Sequence, residues 1–350
     1  MFSGSSAPGT NVQPDGLDAL ITPNINRNYF QNAVHRLHML FNLYVNTCPA
    51  PLPAPGLVIT AEIRSQCELY LPIADVTNVF NRLYSATLTY PPVFSSTPFH
   101  NSSSWADVFA ALPSEFQLSA NPARLLESLL ADECLLTRFL FASFLPDRFY
   151  GSIGRYPGQL QFVREWLATR KPGSLRCLDA ACGTGEETYG LAFVVLEQGF
   201  SPQDIHIDGW TLDPLEVWVA RHRSFPQNRV RDTLLTKRLS PLIAKGDGRC
   251  ISFHCRDILK TVHGSEDEKF DLILCNGLLG GPIIHEKELL NRAVDNLTQL
   301  LAPGGILLAA DTFHGGWKQK CPQTDLRALF ETHGLKAVES GDGVGGLKPD

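Results

Sequence analysis

The spacing of apolar and polar positions changes character near residue 173. Before it, apolar residues recur at the three- and four-residue spacing of amphipathic helices, over about 29–44, 75–84 and 122–144. Asn121 followed by Pro122 is typical of a helix start, with Asn as the N-cap and Pro in the first turn. We therefore predict a mostly helical N-terminal domain over residues 25–147. A tail rich in Gly, Ser, Pro and Asn, residues 1–24, precedes it and is expected to be flexible.

After this point, short apolar runs alternate with helical stretches. Five runs have the length and composition of buried strands: LRCLDA, DIHIDGWTLD, CISFHC, FDLILCN and GGILLAAD. The alternation predicts an α/β fold over residues 148–350, a doubly wound, mainly parallel Rossmann-like sheet with helices on both faces. Ligands of such sheets bind beyond the carboxyl ends of the strands. We find no evident strand in the final GDGVGGLKPD and expect the sheet to end after LKAVES.

Composition narrows the classes of protein that remain. The chain has 350 residues, 44% of them hydrophobic and 19% charged, which indicates a folded protein with a sizeable core. A net charge of −6 argues against a nucleic-acid partner, and no apolar run is long enough to insert into a membrane. The first residues lack the features of a signal peptide, so we expect a cytoplasmic location. Nine cysteines without a CxxC pair argue against disulfides and a metal site.

The most informative segment is 178–189, LDAACGTGEETY, between the first predicted strand and its following helix. Gly183 and Gly185 allow the backbone to approach a ligand closely. A dinucleotide fingerprint would require a further glycine three residues on, and the pyrophosphate would be repelled by Glu186 and Glu187 in the first helical turn. S-adenosylmethionine presents an ammonium and a sulfonium group and no phosphate, so an acidic turn attracts it.

Acidic side chains also end the first two predicted strands. Asp179 ends the first and can orient the amino group of S-adenosylmethionine directly or through water; Ala181 belongs to the same turn. Asp213 ends the second strand and can accept hydrogen bonds from both ribose hydroxyls. Asp213 is equally suited to be an ordinary N-cap, and the two roles can coexist. The predicted cofactor is therefore S-adenosylmethionine.

Four strings carry a resemblance to a known family: CGTGEETYGLA, TLDPLEVWVARH, FDLILCNGLL and LLAPGGILLAAD. They resemble the CheR-type chemotaxis-receptor methyltransferases, within the class I S-adenosylmethionine-dependent methyltransferases. The resemblance covers about residues 148–340. It implies that Gly183 and Gly185 line the methyl donor, that Glu187 binds its methionine portion, and that Asp213 binds its ribose.

The same resemblance implies roles for residues near later strands and before the Gly-rich turn. Asp257 and Ile258 occupy the place where the family contacts adenine. Asn276 follows the fourth strand, where the family has an Arg-Asn pair, and joins the predicted cofactor residues. Arg155 lies about as far upstream of the turn as an arginine of the family.

The acceptor side of the predicted site is described by fewer residues. Candidates are Arg155, Tyr156, Asn276, Asp311, His314 and Trp317. Arg155 could hold an acceptor carboxylate bidentately, or form a surface ion pair. His314 could act as a base for a hydroxyl or amine acceptor, although a lone histidine in a loop is more often structural. We predict Arg155, Tyr156 and His314 as the catalytic residues.

These observations predict an S-adenosylmethionine-dependent methyltransferase that forms S-adenosylhomocysteine. The acceptor is either a protein carboxylate or a small molecule, because residues 221–249 are too short to look like the β subdomain with which family members recognise chemoreceptors. That segment holds eight basic against two acidic residues, which suits an acidic partner or a solvated helical face. The alternative is a non-catalytic S-adenosylmethionine-binding sensor or interaction module; a nucleotide-dependent dehydrogenase is less favoured. The sequence makes no prediction of oligomeric state.

Overall fold

A computed structural model describes most of the chain: residues 16–22, 25–92, 97–117, 120–146, 153–170, 173–260, 269–281, 283–310 and 321–350. The chain divides into two compact units. The helical unit contains Pro14–Tyr150 and Ser224–Thr233, and the sheet unit contains Gly151–Arg223 and Leu234–Asp350. Within the described residues, no helix combines the length and the apolar character that a membrane span requires.

The helices before residue 150 are α1 (Gln31–Thr47), α2 (Ala61–Tyr70), α3 (Ile73–Thr87), α4 (Trp105–Ala111), α5 (Pro122–Ala131) and α6 (Glu133–Phe144). The predicted start at Asn121 and Pro122 is confirmed, since the Asn121 side chain accepts a hydrogen bond from the Ala123 N–H at 2.9 Å. The single helix predicted over 122–144 is wrong. Asp132 adopts an extended conformation and its side chain caps α6 at the Leu135 N–H, which separates α5 from α6.

Aromatic side chains form the centre of the helical unit. Phe80 and Phe99 stack with their ring centroids 4.4 Å apart, and Tyr84 lies against Phe139 and Phe144. The Tyr84 hydroxyl is buried and donates to Ser143 Oγ at 2.9 Å, so its polar end is satisfied inside the core.

The sheet has seven strands: β1 (Leu175–Asp179), β2 (Ile205–Thr211), β3 (Ile251–Cys255), β4 (Phe270–Leu274), β5 (Leu301–Ala310), β6 (Lys336–Glu339) and β7 (Gly343–Leu347). Their order is β3-β2-β1-β4-β5-β7-β6. β1 to β5 are parallel, and β7 is antiparallel to β5 and β6. The predicted α/β fold with a mainly parallel, doubly wound sheet is confirmed. The order reverses between β1 and β4, which is where such sheets bind ligands.

The helices after residue 150 are α7 (Pro157–Ala168), α8 (Glu186–Glu197), α9 (Pro214–His222), α10 (Arg229–Ala244), α11 (Lys287–Leu300) and α12 (Gln323–Thr332). α8 and α9 pack on β2 and β3, and α11 packs on β5. The ends of three strands are tied together by backbone hydrogen bonds: Ala180 N to Leu274 O at 2.7 Å, and Cys182 N to Trp210 O at 3.0 Å. The loops at the carboxyl ends of β1, β2 and β4 therefore share one edge of the sheet.

The expectation that the sheet ends after LKAVES is wrong, because β7 follows it. β7 reads GVGGL and inserts between β5 and β6. Its glycines are required by their neighbours: a Cβ at Gly343 would lie 2.0 Å from Ala309 O, and one at Gly345 would lie 2.7 Å from Val338 Cγ2. A glycine-rich strand has low intrinsic β-propensity and depends on its neighbours, here β5 and β6. Its composition therefore does not indicate a strand.

Candidate functional site

The Gly-rich turn connects β1 to α8 and lies at the carboxyl edge of the sheet. Gly183 and Gly185 both have positive φ, +51° and +84°, a conformation that favours glycine. A Cβ on Gly185 would lie 2.8 Å from the Ala220 Cβ and 2.9 Å from the Phe253 ring. Gly185 is also the N-cap of α8 and provides no side-chain cap. The turn therefore keeps its backbone close to its neighbours, and its glycine N-cap contributes no side chain to the first turn of α8.

Two carboxyl groups meet beside this turn. Asp179 is 1% exposed; its Oδ2 accepts a hydrogen bond from the Thr188 hydroxyl at 2.7 Å, and its Oδ1 is buried with no hydrogen-bond partner among the described residues. Burial raises the pKa of Asp179 to about 6, although hydrogen bonds from the Thr188 side chain and the Ala181 backbone lower it. Burial and the charge of Asp179 raise the pKa of Glu187 to about 7. This pair is in an environment that favours a cation.

Asn276 is placed directly against the pair. It lies two residues beyond β4, and its Nδ2 donates to Glu187 Oε2 at 2.9 Å. Its Oδ1 accepts from the Ala310 N–H at 2.9 Å. This placement agrees with the prediction that Asn276 and Glu187 belong to one site. The contact of Asn276 with the cofactor stays a prediction.

Gln159 is a member of this site that the sequence analysis missed. Its amide forms two hydrogen bonds with the amide of Asn276, 117 residues away, at 2.9 Å and 2.8 Å. One indication was present: Gln159, Val163 and Leu167 are the buried residues of α7. A polar residue at a position of the buried stripe of a helix needs a partner in the interior.

A small cavity is bounded by Arg155, Tyr156, Gln159, Glu187 and Asn276. The Arg155 guanidinium carbon lies 5.7 Å from the centre of the Tyr156 ring, and the charge of Arg155 lowers the pKa of Glu187. The structure thus brings Arg155 and Tyr156 together with the predicted cofactor residues. His314, with Asp311 and Trp317, lies outside the described residues.

Asp213 and the residues after β3 lie at the neighbouring strand ends. Asp213 is the N-cap of α9, since its Oδ1 accepts from the Leu215 N–H at 2.8 Å. Its predicted ribose contact stays a prediction. Asp257 accepts from the Leu259 N–H at 2.9 Å in a local turn. Ile258 is 6% exposed and packs in the core of the sheet unit, so little of its side chain is left for a ligand. Arg256 N bonds to Thr211 O and ties the end of β3 to β2.

Comparison with known proteins finds a family match within this region. Residues 160–312 match the family described as CheR methyltransferase, SAM binding domain. The resemblance predicted from the sequence is thereby confirmed for this segment. The predicted cofactor, S-adenosylmethionine, is confirmed by the same match. The segment includes the Gly-rich turn, the two carboxyl groups beside it and Asn276.

Curated relatives cover part of the chain. The probable biofilm formation methyltransferase WspC of Pseudomonas putida is 29% identical over 149 residues, 40% of this chain and 34% of that protein. A chemotaxis protein methyltransferase of Listeria innocua is 28% identical over 155 residues, 42% of this chain and 55% of that protein. The chain therefore spans about a third and about half of these relatives. A similar solved structure is the N-methyltransferase NodS of Bradyrhizobium japonicum with S-adenosyl-L-homocysteine, 21% identical, covering 63% of this chain and 100% of that chain, with a TM-score of 0.39.

The residues of the matched segment fit S-adenosylmethionine. Asp179 Oδ1 is a buried acceptor without a partner among the described residues, and an ammonium group supplies the donor it lacks. Glu186 and Glu187 stand in the first turn of α8, which disfavours a phosphate there. Gly185 leaves no room for a side chain in the turn itself. The side chains around the turn are thus acidic where the cofactor is cationic.

Proposed function

We propose that this chain is an S-adenosylmethionine-dependent methyltransferase of CheR type, in which residues 148–350 bind the cofactor and residues 25–147 form a separate helical domain. The observation that carries the proposal is the Asp179–Glu187 pair, whose raised pKa values and unpartnered Oδ1 atom suit a cationic amino group. The family match over residues 160–312 and the two compact units support it.

When bound, S-adenosylmethionine supplies a methyl group on a positively charged sulfur, with a neutral thioether as leaving group. In-line displacement at that carbon depends chiefly on positioning, so the work of this chain is to bind and orient. Asp179 and Glu187 hold the amino group, and Asp213 holds the ribose hydroxyls. Asp257 and Ile258 hold the adenine, Ile258 through the small part of its side chain that is exposed.

We propose a carboxylate acceptor held by Arg155. The arginine lies beside Glu187 at the small cavity, and a guanidinium forms bidentate hydrogen bonds with a carboxylate. A carboxylate is already an ionised nucleophile at neutral pH and needs no general base. Tyr156 lies against Arg155 and orients it through ring contact. His314 would be needed as a base only for a hydroxyl or amine acceptor.

The carboxylate belongs either to a protein or to a small molecule, and residues 221–249 bear on this choice. This segment contains the end of α9, the whole of α10 and a short 3-10 turn, without a strand among its described residues. α10 carries basic side chains, which suit an acidic protein surface. The names of the relatives, chemotaxis protein methyltransferases, point the same way.

Radiolabelled methyl transfer tests the proposal. The full chain is incubated with methyl-labelled S-adenosylmethionine and either membranes with receptor fragments or a cell extract of small molecules. Base-labile label on protein supports a protein carboxylate acceptor, and label only in a small extractable product supports the other source. Binding of S-adenosylhomocysteine without transfer to any acceptor would leave a non-catalytic binding module. No binding at millimolar S-adenosylhomocysteine would end the proposal.

A further inference from the structure

Gln159 is buried in the sheet unit at the first turn of α7. Its side chain is 1% exposed, and it lies on the same face of the helix as Val163 and Leu167. A primary amide in such a place costs free energy unless both its donor and its acceptor are satisfied. In Gln159 both are satisfied by a single residue, Asn276.

The orientation of the Asn276 amide follows from three neighbours. The Ala310 N–H can only donate, so it requires the oxygen Oδ1 of Asn276 on its side. The Gln159 Nε2 donates to the same oxygen at 2.9 Å, and the Gln159 Oε1 accepts from Asn276 Nδ2 at 2.8 Å. The remaining hydrogen of Nδ2 then faces Glu187 Oε2 at 2.9 Å. A flipped amide would place two oxygens against each other at Glu187.

The backbone of Gln159 is itself fixed from the far end of the chain. Asp342, in the turn between β6 and β7, accepts from the Gly158 N–H at 2.6 Å and from the Gln159 N–H at 3.2 Å. A Cβ at Gly341 would lie 2.6 Å from the Gly158 backbone, so this turn packs tightly on the start of α7. The turn between β6 and the unpredicted strand β7 therefore fixes the start of α7, and with it the backbone of Gln159.

We propose that Gln159 is a positioning residue for cofactor binding: it holds the Asn276 amide nitrogen towards Glu187, and thereby keeps the Glu187 carboxylate ionised and aimed at the amino group of the cofactor. This inference rests on the proposed function. Gln159 would thus act on the Glu187 carboxylate through Asn276, which is hydrogen-bonded to both.

The charges around Glu187 determine the size of this effect. Asp179 on β1 and Glu186 on α8 repel its ionised form, whereas Arg155 and the Asn276 hydrogen bond favour it. Without Gln159, the Asn276 amide keeps only the Ala310 N–H as a fixed neighbour and can rotate away from Glu187. The pKa of Glu187 then rises, because burial and Asp179 are opposed by Arg155 alone. Binding of an ammonium group should then require a higher pH.

Titration calorimetry of the full chain with S-adenosylhomocysteine from pH 5.5 to 8.5 tests this inference. The variant Gln159→Met keeps the length of the side chain and removes its hydrogen bonds. We expect the midpoint of the affinity–pH curve to move up by about one pH unit, so that affinity falls about tenfold near pH 6.5 and by less than about threefold at pH 8.5. The control is Gln117→Met in the helical unit, which loses two side-chain bonds to backbone carbonyls and should leave the curve unchanged.

A second variant keeps the test decisive if Gln159→Met does not fold. Gln159→Glu can still accept from Asn276 Nδ2, but it cannot donate to Oδ1 when ionised and it adds a negative charge, so it should shift the midpoint upwards at least as far. A curve that falls uniformly at all pH values, or superimposes on wild type, would overturn the inference and leave the proposed function intact. Wild-type affinity that does not vary with pH would overturn it too. Failure of wild type to bind at any pH would instead remove the proposed function.

Discussion

At the scale of single residues, the Asp179–Glu187 pair lowers stability near neutral pH, and we propose that it does so in favour of cofactor binding. Both carboxyl pKa values are raised in the folded protein, Asp179 to about 6 and Glu187 to about 7, chiefly by burial. The fold therefore binds these protons more tightly than the unfolded chain does. The stability that these bound protons contribute is present at low pH. For Glu187 it is lost as the pH rises from the ordinary pKa of 4.5 to the folded-state pKa of about 7.

Glu187→Gln should consequently separate stability from binding. The amide still accepts from Asn276 and removes a disfavoured charge, so we expect the free energy of unfolding to rise by about 1 kcal/mol at pH 8 and to change little at pH 5. Affinity for S-adenosylhomocysteine should fall at least about tenfold at pH 8. Urea unfolding and calorimetry measure the two effects, with Glu197→Gln, whose side chain is 60% exposed at the other end of α8, as the control. Unchanged binding, or a loss of stability at pH 8, contradicts this account.

Asp213 combines an observed role with a predicted one, and two substitutions distinguish them. Asn at this position keeps an oxygen for the Leu215 N–H, whereas Ala removes it. We expect Asp213→Ala to lose about 1 kcal/mol of stability and Asp213→Asn to lose little. Both should weaken S-adenosylhomocysteine binding about tenfold or more. Ala has no acceptor, and Asn, with its oxygen kept on the Leu215 N–H, turns towards the ribose hydroxyls an NH2 group that cannot accept. Wild-type affinity in Asp213→Asn, measured by calorimetry, would leave Asp213 as an N-cap only.

At the scale of elements, the β6–β7 turn acts as the cap of α7. Pro157 begins this helix and its N-cap residue, Tyr156, makes no side-chain cap, so the Asp342 carboxylate satisfies the first amides from a distant part of the chain. A remote cap of this kind joins the end of the sheet to the helix that carries Gln159.

Asp342→Ala should therefore destabilise the protein by about 1–2 kcal/mol, because it leaves two helix amides without an acceptor and removes a charge favourable to the helix dipole. Asp342→Asn should lose less. Thermal and urea unfolding measure the change, and Asp204→Ala, an exposed aspartate, is the matched control. Equal stability of Asp342→Ala and Asp204→Ala would show that the contact contributes nothing.

The elements that the sequence predicts well are those encoded locally. Asn121 with Pro122 starts a helix, and strand–helix alternation gives the sheet, because each depends on residues a few positions apart. β7 is not predicted because its glycines are required by close contacts with Ala309 and Val338 on neighbouring strands, which the local sequence does not show. The break between α5 and α6 depends on one capping side chain, Asp132. The spacing of apolar and polar residues does not indicate contacts of these kinds.

The same limit applies within the site. Asp179 ends β1, Glu187 lies in the first turn of the helix after β1, and Asn276 follows β4. A parallel sheet brings these positions to one edge, so the sequence predicts the group. Gln159 has its partner 117 residues away and lies in no recognisable motif. Ile258 follows β3, where the resemblance implies an adenine contact; the structure buries most of its side chain in the core, and the contact itself stays a prediction.

At the scale of the whole molecule, the residues that we propose to bind the cofactor all belong to the sheet unit of a chain with net charge −6. A ligand that binds the native state alone stabilises it by about 2.7 kcal/mol at a hundredfold excess over its dissociation constant. S-adenosylhomocysteine should therefore raise the midpoint of thermal unfolding, and NADH, which carries a pyrophosphate, should not. Scanning calorimetry of the full chain with each ligand makes the comparison; stabilisation by NADH alone would favour a nucleotide enzyme.

The most direct test compares S-adenosylhomocysteine with 5′-methylthioadenosine, which keeps the adenosine and the sulfur but lacks the amino acid. Calorimetry at pH 6.5, in two buffers of different ionisation enthalpy, gives both affinity and protons released. The acidic pair predicts that S-adenosylhomocysteine binds about a hundredfold more tightly and expels protons from Asp179 and Glu187 as it binds. Equal affinity for the two ligands, or binding of S-adenosylhomocysteine without proton release, would contradict the claim that these carboxylates hold the cofactor's amino group.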